Sequence, residues 1–227
     1  MAQSVLVIAD SGSGKSTSIR DLDPKETFIV NIANKPLPFK GWKKDYSMIS
    51  KDNPKGNMTP VSSAAGITKA MMHVNDKMSH IKNLVIDDWQ YMSSFEYFDR
   101  ADEKGYDKFT SIAKNLAQVA KLPKDMREDL YIFFLTHSEE STDVNGNRKV
   151  KAKTVGKMID NALTLEGLFS IVLFGKVVKG EDDKLSYVFE TVNNGENTCK
   201  SPDKMFDTAR IENSLKVVKN AIIEYEN

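Results

Sequence analysis

Residues 4–17 read SVLVIADSGSGKST, and the order of residue types in that stretch decides the fold. Ser4 to Ala9 is a short apolar run that ends abruptly in Asp, Ser and Gly, the pattern of a parallel strand buried on both faces. Gly12 and Gly14 permit a tight turn, and Thr17 to Leu22 reads as a helix stopped by Asp23-Pro24. A strand, a glycine turn and a helix start in this order make an anion site, because free N–H groups and the helix dipole both face the turn. The spacing matches G-x-x-x-x-G-K-[ST] with Ala9 in place of the first glycine. Ser11, Gly12, Ser13, Gly14, Lys15, Ser16 and Thr17 are then the phosphate cradle. Lys15 reaches the β- and γ-phosphates, and the Ser16 hydroxyl ligates magnesium. ATP and Mg2+ are the implied cofactors.

Working outward, the sequence predicts further strands at Thr27 to Ile32, Asn83 to Asp87, Leu130 to Thr136 and Phe169 to Phe174. Ile67, Met71, Val74, Met78 and Ile81 recur at helical spacing within 61–82. A helical pattern runs from Trp89 to about Ala120 with a break at Lys104-Gly105, and another lies near Val155 to Leu165. Residues 34–60 hold Pro36, Pro38, Pro54 and Pro60 and read as an irregular connection. A hairpin is expected around Leu185 to Val192. A final helix carries Leu215, Val218, Ile222 and Tyr225 on one face. Strands alternating with helices point to an α/β fold, a mainly parallel sheet flanked by helices, in one domain spanning 1–227. Such sheets bind ligands at the carboxyl ends of their strands. Residues 9–17, 32–35, Asp87-Asp88 and His137 all fall there.

Leu84 to Asp88 is an apolar strand ending in two carboxylates. Asp87 is placed to hold magnesium, and Asp88 or a nearby carboxylate to orient an attacking water as general base, with Glu139 and Glu140 just after His137 the next candidates. His137 ends the Leu130 strand. It either senses or polarises the terminal phosphate or is a strand-end histidine bonded to backbone. Lys15, Asp88 and His137 are the candidate catalytic set. His73 and His80 sit on a helix without partners and read as surface residues.

Lys plus Arg equals Asp plus Glu at 32 each, which excludes a wholesale nucleic-acid binder and leaves only a local basic patch. The one cysteine, Cys199, excludes an internal disulfide and reads as a buried thiol in a reducing compartment. No apolar run approaches the length of a bilayer span, and the chain opens on a strand rather than a signal core. The expectation is a cytoplasmic protein without a membrane partner.

SGSGKST at 11–17, NKPLPFKGW at 34–42, LVIDDWQYM at 84–92, GYDKFTSIA at 105–113, FFLTHSEES at 133–141, KAKTVGKMID at 151–160 and KSPDKMF at 200–206 together resemble a phage-encoded family. These are the RecA-like P-loop ATPases of the Sak single-strand annealing and recombination type. The resemblance implies a RecA-like core with the Leu130 strand between the other two site strands. It also implies ATP hydrolysis, action on single-stranded DNA, assembly into a homo-oligomeric ring or filament, and a place in the host cytoplasm. RecA-like enzymes commonly carry a catalytic Glu after the second strand. Here that region reads Asn31-Ile32-Ala33-Asn34, so either Asp88 substitutes or hydrolysis is slow. They also usually complete the site with a basic residue from a neighbouring subunit, for which Lys153, Lys157 and Lys200 are candidates.

Asn145-Gly146 is a hairpin turn, after which Lys149, Lys151 and Lys153 alternate onto one face of an extended strand. That row suits a single-stranded DNA backbone. It equally suits a solvated edge strand kept from aggregating by lysines. A small-molecule or nucleotide kinase is the rival to the DNA-acting ATPase. It expects an arginine-rich lid, and arginine is confined to Arg20, Arg100, Arg127, Arg148 and Arg210. A nucleotide-binding regulator without turnover is a third reading.

Overall fold

A computed structural model describes residues 1–142, 146–155, 163–180 and 183–227. The opening apolar run forms β1 (Gln3–Ala9), followed by β2 (Thr27–Asn31). Between them, Ser16–Asp21 is 3-10 helix rather than the α-helix expected. Three consecutive hydroxyl residues explain this, since Ser and Thr side chains compete for backbone partners; the Ser18 hydroxyl donates to the Lys15 carbonyl at 2.5 Å. Next come β3 (Met58–Thr59), β4 (Asn83–Asp87), β5 (Tyr131–Thr142), β6 (Arg148–Ala152), β7 (Ile171–Lys179), β8 (Leu185–Glu190) and β9 (Arg210–Glu212). The helices are α1 (Trp42–Asp45), α2 (Ala64–Lys77), α3 (Gln90–Asp99), α4 (Asp107–Lys121) and α5 (Leu215–Glu226).

The strand order is β3-β2-β4-β5-β1-β7-β8-β9, with β6 paired to the far end of β5. From β3 to β7 all neighbours run parallel, while β8 and β9 are antiparallel. The fold is therefore α/β, a mostly parallel sheet flanked by helices. Strand periodicity sorts the side chains into two cores. Leu6, Ile8, Phe28, Val30, Leu84 and Ile86 face Ile67, Met71, Ile112 and Leu116 of α2 and α4. Val5, Val7, Ile29 and Val85 face Ile19, Leu22, Leu215, Val218 and Ile222. Both faces are covered, which is why these strands read as continuous apolar runs rather than alternating ones.

Several expected boundaries move. α2 ends at Lys77, and Met78 and Ile81 reach the core from the turn that follows. The helical run after Trp89 splits into α3 and α4 around the expected break. β7 continues five residues beyond Phe174, because its outer half pairs with β8 as far as Lys179 opposite Leu185, so 185–190 is one arm of the hairpin rather than the whole of it. Residues 34–60 contain α1 and the edge strand β3. Tyr225 stays half exposed while Leu215, Val218 and Ile222 are buried. The helix expected near Val155 to Leu165 falls mostly on 156–162, outside the described residues. No helix among the described residues is long and apolar enough to cross a membrane.

The departure at Ala9 has a structural counterpart. In register, Ala9 sits beside Gly175 of β7, and a Cβ added at Gly175 would lie 2.8 Å from the Ala9 Cβ, closer than two such atoms ever pack. The methyl that the first motif position gains is accommodated by a glycine on the next strand. Gly175→Ala should therefore destabilise by about 1–3 kcal/mol, the usual cost of overpacking, measurable as a lower urea midpoint. An unchanged midpoint would show that β1 and β7 are not held at this spacing.

Candidate functional site

The loop after β1 depends on two left-handed glycines, Gly12 at φ +80° and Gly14 at φ +84°. Gly14 is constrained by space as well. A Cβ there would stand 3.0 Å from the Tyr187 ring and 3.2 Å from the Asn213 side-chain oxygen. The loop folds back so that Lys15 is buried, with Nζ donating to the carbonyls of Ala9 (3.2 Å) and Asp10 (3.3 Å). Burial pulls the Lys15 ammonium below its ordinary pKa, against the opposing charges of Asp88 and Asp87. The Ser16 hydroxyl donates to Asp87 Oδ1 at 2.8 Å, which brings together the two residues expected to share a metal. Asp87 Oδ2 is buried and has no protein partner.

Asp87 and Asp88 take opposite directions from one strand end. Trp89 is fully buried, its ring 4.7 Å from Phe134 and 6.0 Å from Phe169 between centroids, and its backbone N–H donates to the Leu135 carbonyl at 2.8 Å. This anchor turns the chain sharply, and Asp88 absorbs the turn at φ +58°, a conformation Asp tolerates better than most residues. The Asp88 carboxylate consequently faces Lys35, with which it forms an ion pair, and His137, whose Nε2 lies 3.5 Å from Oδ1.

The His137 ring is turned toward charged side chains rather than backbone, with Nδ1 3.4 Å from Lys15 Nζ. An ammonium only donates, so the tautomer that suits both neighbours accepts at Nδ1 and carries its proton on Nε2, toward Asp88. Gln90 fixes the strand end, its side-chain oxygen accepting from the His137 N–H (3.1 Å) and the Thr136 hydroxyl (3.3 Å). Lys35, Asp88, His137 and Lys15 thus form one continuous polar chain. Burial raises Asp87 to about 6, helped by the Asp88 charge and opposed by Ser16 and the two lysines. For Asp88, burial pushes upward but is outweighed by His137, Lys35 and Lys15, which hold the carboxyl below its usual range. Burial likewise works against the Lys35 charge, yet the Asp88 carboxylate prevails and raises it.

These groups open into a cleft of about 870 Å³. Its floor is Ser11, Gly12, Gly14, Lys15, Ser16 and Thr17; Lys35, Asp88 and His137 line it from strands on one side of β1 in the sheet, and Tyr187 and Asn213 from the other. Ser13 is buried behind the floor, its carbonyl accepting from the Asn213 amide at 3.4 Å. Arg20 also reaches the cleft, held by Glu212 (3.2 Å) and the Asn213 carbonyl (3.1 Å). Sequence reasoning missed Lys35, Arg20, Tyr187 and Asn213. Only Lys35 carried a signal, its place at the carboxyl end of a predicted strand.

The residues after His137 leave the cleft. Glu139 pairs with Lys151 at 3.0 Å and Glu140 with Arg148, so neither stands in for Asp88. Lys149, Lys151 and Lys153 do alternate with the buried Val150 and Ala152, although β6 stops before Lys153. Lys149 donates to the Gly195 carbonyl, so two of the three ammonium groups have partners. Asn145 of the expected turn lies outside the described residues, as does Lys157; Lys153 and Lys200 are exposed. His73 and His80 are exposed as expected. Cys199 is buried, and burial together with Glu190 pushes its thiol up to about 12, an inert state.

Among the described residues, no three His, Cys, Asp or Glu side chains gather to hold a metal unaided. The Ser16–Asp87 pair with its orphaned oxygen suits a magnesium ion that draws its other ligands from phosphate and water. No protein-family model matches the chain, and no curated protein matches it.

The raised Asp87 carboxyl yields a stability prediction. Between about pH 4 and 6 the folded chain keeps a proton that the unfolded chain releases, so this group's contribution falls as pH rises and stays low above 6. Without nucleotide or magnesium, Asp87→Asn should be more stable than wild type at pH 7.5 by about 2–3 kcal/mol, and no more stable at pH 4. Urea unfolding at the two pH values measures the difference; equal stabilities at pH 7.5 would show that Asp87 carries no such penalty.

Proposed function

We propose that this chain is a RecA-like P-loop ATPase that binds ATP with magnesium in the cleft and acts on single-stranded DNA. The observation that carries the nucleotide reading is the buried Lys15 on a two-glycine turn beside the Ser16–Asp87 pair, at the carboxyl edge of a parallel sheet. The cleft volume falls within the range of small-molecule and cofactor sites. Loop N–H groups and Lys15 hold the phosphates, exchanging the Ala9 and Asp10 carbonyls for phosphate oxygens. Magnesium, when bound by Ser16 and Asp87, offsets phosphate charge. Asp88 stays ionised at neutral pH and so orients a water by accepting its hydrogen bond. His137 links that carboxylate to Lys15 and reports whether the phosphate is present.

The test is calorimetry of ATP with magnesium on wild type and Lys15→Ala. The variant should lose roughly 1.5–3 kcal/mol of binding or more, since a charge-assisted bond is removed. Near-wild-type affinity would rule out this phosphate site. Turnover should rise on adding single-stranded DNA; phosphate transfer to a nucleoside instead would make the protein a kinase, a reading the single arginine lining the cleft does not favour.

The DNA reading rests on the resemblance and on the β5–β6 hairpin, which extends from the same strand as His137 and shows Lys149, Lys151 and Lys153 on one side. Assembly along the strand into a ring or filament belongs to the same proposal. Replacing the three lysines with Ser should flatten the slope of log affinity against log salt by up to about 2, since each phosphate contact on a single strand contributes roughly 0.7. A wild-type slope in the triple variant would return the hairpin to a solvated edge.

A further inference from the structure

Lys35 has no role in the phosphate motif, yet its backbone is held in place on both sides. β2 pairs with β4 so that Asn31 lies level with Asp87. The buried Asn31 side chain then holds the next turn from both sides. Its amide donates to the Lys35 carbonyl at 2.6 Å, and its oxygen accepts from the Lys35 N–H at 3.3 Å. The Asn34 N–H closes the turn on the Asn31 carbonyl at 3.0 Å, with Asn34 itself left-handed at φ +49°. Pro36 follows and limits the backbone of Lys35 to extended conformations. A flexible lysine is thus mounted on a rigid base at the strand end nearest the paired carboxylates.

The side chain leaves that base in one direction, across to Asp88. Asp88 is almost wholly buried, at 1% side-chain exposure, whereas Lys35 is 45% exposed and lines the cleft with Lys15 and Ser16. The buried member fixes where the ammonium sits, and the exposed member keeps N–H groups free for a ligand. A lysine ammonium has three donors, and one carboxylate does not exhaust them. Phosphoryl transfer spreads negative charge over the terminal phosphate oxygens, which positioned cations stabilise. Lys15 is one such cation, and Lys35 is the second that the same chain brings to the cleft beside Asp88.

Given the ATP site proposed above, we propose that Lys35 is the cation that neutralises the terminal phosphate during hydrolysis, supplied by the same chain that binds the nucleotide. Lys153 or Lys200 of a neighbouring copy is then not needed to complete the site, and assembly serves DNA rather than chemistry.

The test compares wild type, Lys35→Met and Lys35→Arg for binding of ADP and of ADP with magnesium and aluminium fluoride, a mimic of the transferring phosphoryl. Lys35→Met should bind ADP within a few-fold of wild type and lose about 10²–10³-fold for the fluoride complex, matched by its loss of turnover. Lys35→Arg should recover part of both. The same substitution in an Asp88→Asn background should still cost the fluoride complex at least ten-fold. No added cost there would reduce Lys35 to a support for Asp88 and overturn the proposal, as would equal binding of the fluoride complex by Lys35→Met and wild type. Mixing Lys35→Met with Lys15→Ala chains should restore no turnover. Recovery on mixing would mean that Lys35 acts across a subunit boundary, against the proposal. Undiminished ATP binding by Lys15→Ala, by contrast, would sink the ATP site itself, whatever Lys35 does.

Discussion

The arrangement of the cleft depends on β1 being clamped between β5 and β7 in parallel register. Ala9 stands level with His137 on one side and Gly175 on the other, so the point where the chain leaves the sheet is fixed by two neighbours at once. A one-residue slip of β1 would exchange its two buried faces, moving Val5 and Val7 into the layer of Leu6 and Ile8. Both layers are fully packed, so that slip is strongly opposed. The glycine turn inherits this precision, and Lys15 returns to the Ala9 carbonyl because that carbonyl has nowhere else to be.

Upon this frame sits an electrostatic arrangement that is poor for stability and suited to binding. Asp87 and Asp88 adjoin at one buried strand end, where desolvation and mutual repulsion both act against charge. Lys15 and Lys35 offset part of that, and His137 bridges the remainder. The offset is unequal. Asp88 has a charged or ionisable neighbour at each oxygen, Lys35 at one and His137 at the other, though neither oxygen accepts a well-formed hydrogen bond, while Oδ2 of Asp87 has neither kind of partner. An unpaired buried carboxylate oxygen next to a hydroxyl is a disfavoured state that a cation would relieve. The two carboxylates, adjacent in sequence, are therefore unlike in chemistry, and the left-handed backbone at Asp88 is what separates them.

How much of this was legible in the sequence depended on the range of the interaction concerned. The strands of the parallel core were readable because burial on both faces leaves uninterrupted apolar runs. The glycine turn, Lys15, Ser16, Asp87 and His137 were readable because their spacing or position at a strand end is local. The 3-10 geometry of 16–21 was not, since hydroxyl competition with the backbone is a contest that sequence leaves undecided. Lys35 was seen to lie at a strand end, but its meaning comes from Asp88 on a different strand. Tyr187 and Asn213 carried no local mark at all. Gly175 lies past the expected strand end at Phe174, and its role needs β1 beside it; Glu139 and Glu140 follow His137 closely in sequence, yet β6 folds back and pairs with them.

The wall supplied by Asn213 also bears on how the protein is made. Its amide meets the carbonyl of Ser13 across 200 residues of chain, and α5, which follows it, contributes Leu215, Val218 and Ile222 to the layer under Ser16–Asp21. A ribosome that has released the glycine turn, the paired carboxylates and His137 has produced every group of the polar chain and still not an enclosed cleft. Until residues 213–222 emerge, Ile19 and Leu22 lack their cover and the floor lacks one side. Nascent chains stalled short of that point should expose apolar surface beside an unfinished pocket, the condition in which chaperones and proteases compete for a substrate. Closure of the pocket thus waits on a segment some 200 residues downstream of the glycine turn, and a chain interrupted before Ile222 has the polar groups without the walls that hold them.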